Sequence, residues 1–440
     1  MVEYKEVIHF LMQQLPMFST NGKMALKPGL ENIIALCEAL DNPQMKFPSI
    51  HIAGTNGKGS TSHMMAAALQ QSGYRVGLYT SPHLVDLRER IRINGEMIEK
   101  SFVIQFVNNH KAIIETIQPS YFELNVAMAF LAFAEAKVDI AVIEVGLGGR
   151  LDSTNIITPI LSIITNIGYD HTDILGNTLP LIAKEKAGII KEQVPVVVGE
   201  THPETEQVFF LEALHQKTSV IFADSIWELV KIGQGTDYQL FKAINKATNQ
   251  WYDIKTDLLG AFQQHNIKTV LTASHLLMQQ GWNTTLEQTI ESLSQVKTLT
   301  HLRGRWEILS TEPQIILDVA HNSDGLHYLQ QNLSQTSANA QLHIVCGFVK
   351  DKDVTTALHK FPKEALYYFT QAQIPRALDH HTLHHTALNL GFKGNAYATV
   401  TDAILAAQHK ASKQDTILIT GSFFIVGEAI TSLEETITTE

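Results

Sequence analysis

Gly54-Thr55-Asn56-Gly57-Lys58-Gly59-Ser60 is the stretch on which the reading of this chain turns. The residues before it, 49–53, read as a short buried strand, and residues 60–72 have helical spacing, with Gly73 placed to end the helix. A glycine-rich turn between a strand and a helix is the context a phosphate loop requires. Glycines let the backbone turn tightly and bring its N–H groups onto a phosphate, and the helix N-terminus adds partial positive charge. Lys58 supplies a point charge for the β- and γ-phosphates, and a hydroxyl near the loop can reach magnesium. The strict Walker spacing is broken, because position 52 is Ile, Gly59 follows Lys58, and Ser60 comes one place late. A plain glycine-rich turn is the other reading of these residues.

Outward from the loop, residues 3–15, 30–40, 102–117, 123–136 and 179–189 read as helices, and residues 76–79, 140–145, 160–165 and 194–198 as strands. Strands alternating with helices predict parallel α/β layers. Residues 238–256 differ: two β segments flank the polar turn Lys-Ala-Thr-Asn, which predicts an antiparallel hairpin. Residues 263–280 follow as a helix ended by Gly281. The polar stretch 295–303 lacks a clear period and reads as a domain boundary, giving domains at 1–296 and 301–440. Beyond it the alternation restarts, with strands at 314–319, 342–346, 365–369 and 416–420, so a second, smaller α/β unit is expected.

Composition agrees with this division. At about 100–200 residues per domain, 440 residues make two or three domains. With 45% apolar and 18% charged residues the chain is globular. Lys and Arg number 33 against 44 Asp and Glu, a net charge of −11, so there is no broad basic surface for nucleic acid. The cysteines Cys37 and Cys346 are far apart and form no CxxC pair, which argues against a disulfide framework or thiolate zinc site and for a reducing, cytoplasmic setting. The longest apolar stretch, 126–134, is far short of the roughly 20 residues a membrane span needs. The N-terminal residues, with Glu3 and Glu6, do not read as a signal peptide.

In an open parallel sheet, ligands bind beyond the carboxyl ends of the strands. Glu144, Ser81 and His171 each follow or end a strand there and are candidate metal ligands. A buried, hydrogen-bonded Glu144 and a loop histidine at 171 are the alternatives. Lys184-Glu185-Lys186 alone reads as a solvated helix face. Asp379-His380-His381-Thr382-Leu383-His384-His385 has zinc-compatible spacing, but Asp379 reads as an N-cap and the histidines as a surface helix.

Taken together, residues 51–60, 79–83, 144–155, Asp170-His171, 184–189, 318–322, Lys350-Asp351-Lys352-Asp353 and 419–422 resemble the folylpolyglutamate synthase/dihydrofolate synthase family of Mur-type ligases over essentially the whole chain. The resemblance implies a P-loop ATPase-type parallel-sheet domain that also carries the pterin/folate site, followed by a smaller Rossmann-like domain. It implies ATP bound by Gly54, Thr55, Asn56, Gly57, Lys58, Gly59 and Ser60, with Asn266, Arg305 and Asp318 contributing. Ser81 and Glu144 would ligate one magnesium, and Glu144 and His171 a second. Lys186 would be carbamylated, and potassium is a further implied cation. Lys58, Lys186, His171 and His321 would serve catalysis. His83, Arg90, Asp152, Ser153, His321 and Ser422 would meet the acyl or glutamate substrates, with Arg88 on the same loop as Arg90 and Arg376 as a further candidate for glutamate. The run Gly148 to Asn155 resembles the form of bifunctional bacterial members, with Ser153 where many have Ala.

The implied reaction is ATP-dependent ligation of L-glutamate to dihydropteroate or reduced folate through an acyl phosphate, by a monomer that binds small molecules and neither nucleic acid nor membrane. Activating a carboxylate this way needs charge neutralisation at the γ-phosphoryl and exclusion of water. Chain extension alone is one alternative, and a Mur-type ligase with another acyl substrate is a second. A cell-wall ligase would need an additional N-terminal domain, for which a loop at residue 54 leaves no room. A P-loop switch protein would need none of the downstream motifs.

Overall fold

The structure, a computed structural model, describes residues 3–15, 29–333 and 340–439. It divides into two units. The first runs to Pro82 and continues through Leu87–Leu258 and Phe262–Leu302, while the second takes His83–Asp86, Leu259–Ala261 and the chain from Arg303 onward. The division falls at Leu302/Arg303, and two short excursions of the earlier chain, one of them carrying His83, go with the second unit.

The first unit is built on an eight-stranded sheet: β1 (Ser49–Ala53), β2 (Val76–Tyr79), β3 (Ile91–Ile93), β4 (Glu96–Met97), β5 (Ile140–Glu144), β6 (Leu161–Ile164), β7 (Val196–Val198) and β8 (Val220–Phe222). Their order is β4-β3-β2-β5-β1-β6-β7-β8, parallel except at β2–β3 and β3–β4. Every residue of β1, β2, β5 and β6 is buried, which is why these strands read as apolar runs rather than as alternating ones. The fragments β3, β4 and β8 are too short to show such a run. Register brings the strand ends level: Ile52 lies opposite Glu144, Ala53 opposite Ile164, and Tyr79 opposite Ile143. Three loops that follow neighbouring strands therefore start side by side.

The helix Lys58–Gln71 continues from the loop after β1 and is buried from Gly59 to Leu69. Its Ala66-Ala67-Ala68 run lets it lie close against the sheet. The helix Tyr121–Glu135 starts with a reciprocal cap, in which the Ser120 N–H donates to Glu123 Oε2 at 2.6 Å and the Glu123 N–H to Ser120 Oγ at 3.2 Å.

The hairpin expected at 238–256 is present as β10 (Gln239–Asn245) and β11 (Trp251–Thr256), antiparallel, and a strand missed in the sequence, β9 (Trp227–Gln234), completes a three-stranded sheet. Strand β9 escaped because Val230 and Ile232 are exposed, so its apolar residues do not mark a buried face. The stretch 295–303 also needs correction. It contains a helix, Val296–Thr300, in which buried Thr300 accepts from His63 Nδ1 at 2.8 Å and donates to the Val296 carbonyl at 2.7 Å. A polar residue on the inner face hid the period.

The second unit is a six-stranded sheet of β12 (Glu307–Thr311), β13 (Gln314–Leu317), β14 (Leu342–Cys346), β15 (Leu366–Phe369), β16 (Lys393–Ala396) and β17 (Thr416–Thr420), in the order β12-β13-β17-β14-β15-β16. Only β12–β13 is antiparallel. Alternate residues feed two cores: Ile316, Ile344, Phe369 and Leu418 on one face, and Leu317, Val345, Tyr368 and Ile419 on the other. Strands β12 and β16 were not read from the sequence, since both are edge strands with solvated residues.

A buried chain of polar groups joins β1 to the glycine turn after β5. The Thr154 hydroxyl donates to Asp152 Oδ1 at 2.5 Å, so its oxygen accepts from His51 Nε2 at 2.8 Å. His51 Nδ1 is then a bare, buried nitrogen. Burial, helped by the charge of Lys191, pulls the His51 pKa from 6.5 down to about 3. The folded protein keeps this ring neutral while the unfolded chain protonates it. Its stabilising contribution is therefore complete above pH 6.5 and is lost as pH falls toward 3. In urea titrations, wild type is expected to lose about 2 kcal/mol more than His51→Gln between pH 6.5 and about pH 5. Parallel acid limbs would contradict this.

Candidate active site

The loop after β1 is held from below by residues that follow β6. Gly54 has φ +148°, and a Cβ there would stand 1.8 Å from Thr165 Oγ1. Thr165 Oγ1 donates to the Asn56 carbonyl at 2.5 Å. Asn166 takes two loop N–H groups, that of Thr55 on its carbonyl at 3.0 Å and that of Asn56 on Oδ1 at 2.9 Å. Thr55 Oγ1 closes the cradle by bonding both the N–H and the carbonyl of Gly168, at 2.9 and 3.1 Å. Gly57 is left-handed at φ +82°, and a Cβ would sit 2.3 Å from Asn266 Oδ1. Asn266, on the helix Gln263–Gln279, also accepts from Thr61 Oγ1 at 3.4 Å, and the neighbouring Gln263 reaches Ser60 Oγ at 3.4 Å. The loop residues Gly54 to Ser60 and Asn266 thus come together as expected. Thr165 and Asn166 were not singled out in the sequence, although their place just after a strand at the sheet's carboxyl edge was a signal.

Two ammonium groups meet at one carbonyl. Lys58 Nζ donates to the Gly54 carbonyl at 3.1 Å and to that of Thr55 at 3.2 Å, and Lys186 Nζ donates to the Gly54 carbonyl at 2.8 Å. Lys186 lies on the helix Leu179–Ala187 with its side chain buried, whereas Lys184 on the same helix is exposed. The solvated-face reading is therefore right for Lys184 and wrong for Lys186. Burial first, and then the Lys58 charge, bring the Lys186 pKa from 10.5 to about 7, against the opposing pull of Asp170 and Asp152.

Buried Glu144 ends β5, opposite Ile52 of β1, and its Oε2 accepts the Ser81 N–H at 3.1 Å. His171 stands at the start of the short helix Thr172–Leu175 in a left-handed conformation, with its N–H on Asp170 Oδ1 at 2.9 Å and Nε2 at 3.9 Å from the same atom. Among the described residues no three His, Cys, Asp or Glu side chains cluster as a metal site. A magnesium ion fits such a sparse set, because it keeps waters and phosphate oxygens and takes one or two protein carboxylates.

Several residues expected at the substrates have other partners. Asp152 is buried and accepts from the Thr154 N–H at 3.0 Å and the Leu147 N–H at 2.8 Å, so it organises the glycine turn. Burial raises its pKa, and these bonds oppose the rise. Ser153 is partly buried in the same turn. Arg90 is buried with its guanidinium 5.7 Å from the Tyr121 ring centroid, and Arg88 lies 5.5 Å from that of Tyr4.

In the second unit, Asp318 follows β13 and accepts from the Ala320 N–H at 2.8 Å and the Trp306 N–H at 3.0 Å. Burial raises its pKa, against these bonds and the charges of Arg305 and His321. Arg305 and His321 both pack on Phe423, at 5.1 and 5.6 Å from its ring centroid. His321 Nδ1 donates to the Val319 carbonyl at 2.9 Å, which leaves Nε2 as the ring's acceptor. Asp318, Arg305 and His321 therefore form one group. Ser422 Oγ accepts the Ile425 N–H at 3.2 Å and caps the helix Phe423–Thr439. Arg376, a candidate for glutamate, is forked on both oxygens of Asp351, at 2.8 and 2.5 Å. His83 is partly buried in this unit. The histidine run 380–385 is a helix capped by Asp379, as read.

The match to known proteins spans both units. A family model described as the Mur ligase middle domain matches residues 52–274, and one described as the Mur ligase glutamate ligase domain matches residues 304–423. The dihydrofolate synthase/folylpolyglutamate synthase of Bacillus subtilis is 35% identical over 417 residues, covering 92% of this chain and 95% of that protein. Escherichia coli FolC in complex with DHPP and ADP superposes with a TM-score of 0.82 at 28% identity, over 98% of each chain. The bifunctional folylpolyglutamate synthase/dihydrofolate synthase of Yersinia pestis, complexed with AMPPNP and a manganese ion, gives 0.83 at 28% identity, also over 98% of each.

The crowding at Gly57 makes a direct test. A methyl group in Gly57→Ala meets Asn266 Oδ1 and adds a left-handed backbone cost of about 1–2 kcal/mol. ADP binding by calorimetry is expected to weaken about ten-fold or more, with a fall of only about a few degrees in melting temperature. Unchanged affinity would contradict the placement of the nucleotide at this loop.

Proposed function

Because the chain belongs to the folylpolyglutamate synthase/dihydrofolate synthase family of Mur ligases, we propose that it joins L-glutamate both to dihydropteroate and to the glutamate tail of reduced folates. It is an ATP-dependent ligase that uses a divalent metal. The observation that carries the reading is the convergence of Lys58 and Lys186 at Gly54, just beyond the carboxyl end of β1, with Glu144 ending the neighbouring strand β5.

The acyl carboxylate attacks the γ-phosphorus of ATP, giving an acyl phosphate and ADP. The glutamate α-amine then attacks the acyl carbon, and phosphate leaves with the bonding pair. Lys58 and the loop N–H groups hold the phosphates, and Asn266 contacts the nucleotide. Ser81 and Glu144 would hold one magnesium ion, and Glu144 with His171 a second; bound there, magnesium neutralises charge on the phosphate oxygens. With a pKa of about 7, Lys186 is partly neutral at neutral pH and can add CO₂ with loss of a proton, which would give a carbamate close to Lys58. Arg305 and Asp318 serve the nucleotide, and His321, whose Nδ1 donates to the Val319 carbonyl, takes the proton of the glutamate amine on Nε2. Potassium is a further cation of this reading. A monomer is the proposed state. Among the described residues no helix is long and apolar enough to cross a membrane; the proposed setting is the cytoplasm, in keeping with two buried, free cysteines.

Phosphate release from ATP, with magnesium, potassium and L-glutamate, is to be measured with dihydropteroate and tetrahydrofolate in parallel, with mass analysis of the products. Both acids are expected to gain glutamate. Turnover with tetrahydrofolate alone would reduce the activity to chain extension, and silence with both would overturn the substrate assignment.

A further inference from the structure

One carboxylate that none of the roles above uses touches both walls of the phosphate loop. Glu200 lies just beyond β7, and its Oε1 accepts from Asn166 Nδ2 at 3.1 Å. Its Oε2 lies 3.2 Å from His265 Nδ1. We propose that Glu200 is a positioning residue for nucleotide binding: it orients the Asn166 amide under the phosphate loop and fixes the first turn of the helix that carries Asn266. The inference rests on the nucleotide reading of the loop.

The argument begins with the asymmetry of an amide. Asn166 has an acceptor and a donor that exchange places when the group turns over. The loop presents a donor, the Asn56 N–H, so Oδ1 must face it, at 2.9 Å. The turned-over amide would set N–H against N–H. An acceptor on the far side selects the right orientation, and Glu200 Oε1 is that acceptor. Nearby Asp224 cannot substitute, because its two oxygens take the Thr201 N–H and hydroxyl at 2.8 and 2.7 Å.

The second oxygen of Glu200 lies against the other wall, 3.2 Å from His265 Nδ1. His265 is in the first turn of the helix Gln263–Gln279, one residue before Asn266, whose Oδ1 is the atom against Gly57. A single carboxylate thus reaches the loop from below through Asn166 and from the side through His265. The side chains of both His265 and Glu200 are only about a quarter exposed, and burial lowers the His265 pKa, so this is a close contact between a carboxylate and a neutral ring rather than an ion pair.

The test compares Glu200→Ala with Glu200→Gln in the full-length protein. The glutamine keeps an acceptor for Asn166 and can donate to a neutral His265 Nδ1, so it conserves the geometry while removing the charge. Magnesium-ADP binding by calorimetry and initial rates against ATP are the readouts, with melting temperature followed alongside. For Glu200→Ala we expect ADP binding about ten-fold weaker and KM for ATP raised to match, with kcat within about two-fold. Glu200→Gln is expected to stay within about two-fold of wild type throughout.

Equal ADP affinity in wild type and Glu200→Ala would overturn the proposal, as would a glutamine variant as weak as the alanine, since the carboxylate would then act by charge. Asn166→Ala extends the test to a second position. Adding Glu200→Ala to it should weaken ADP less than Glu200→Ala does alone in wild type, and fully additive losses would overturn the relay. Failure of wild type itself to bind ADP would instead refute the nucleotide site.

Discussion

Two lysine ammonium groups donating to the same backbone carbonyl is the constraint around which this site is organised. Lys58 and Lys186 both reach the Gly54 carbonyl, at 3.1 and 2.8 Å, in surroundings that bury Lys186. Like charges that close repel, and the repulsion grows as water is excluded. The carbonyl offsets part of that cost. The remainder favours a neutral Lys186 or a nearby anion; in the proposed reading that anion is a phosphate oxygen, or a carbamate formed on Lys186 itself.

The fold makes that convergence possible by aligning strand ends. Pairing of Ile52 with Glu144 and of Ala53 with Ile164 sets the loops after β1, β5 and β6 side by side. The strands are apolar throughout because both faces are covered, and polar chemistry is confined to their carboxyl ends. The buried chain of His51, Thr154 and Asp152 then holds the glycine turn after β5 without exposing a polar group. Stability and function share these residues, so the fold cannot relax at the loop without disturbing the sheet.

What could be read in the sequence follows from how local each signal is. The phosphate loop is contiguous, and its strand, glycines, lysine and helix lie within a short window. Buried strands announce themselves as apolar runs. Lys186 carried a usable signal too: the buried positions 179, 182, 183, 186 and 187 form a helical stripe, and the lysine sits on it. Ser422 before the helix at Phe423 could likewise have been read as a cap. Other features depend on partners far apart in the chain. The fork of Arg376 on Asp351, the burial of Arg90 on Tyr121 and the meeting of Asn166, Glu200 and His265 have no local pattern. Strand β9 was hidden because its outer face is apolar, and the helix Val296–Thr300 because its inner face carries a threonine.

The account stands or falls on whether the paired lysines recruit an anion. Equilibrating the protein with isotope-labelled bicarbonate and recording its carbon NMR spectrum measures this directly. A carbamate resonance in wild type that disappears in Lys186→Gln is the predicted result. Absence of the resonance, together with a Lys186 amine that titrates near its ordinary value of 10.5, would contradict it.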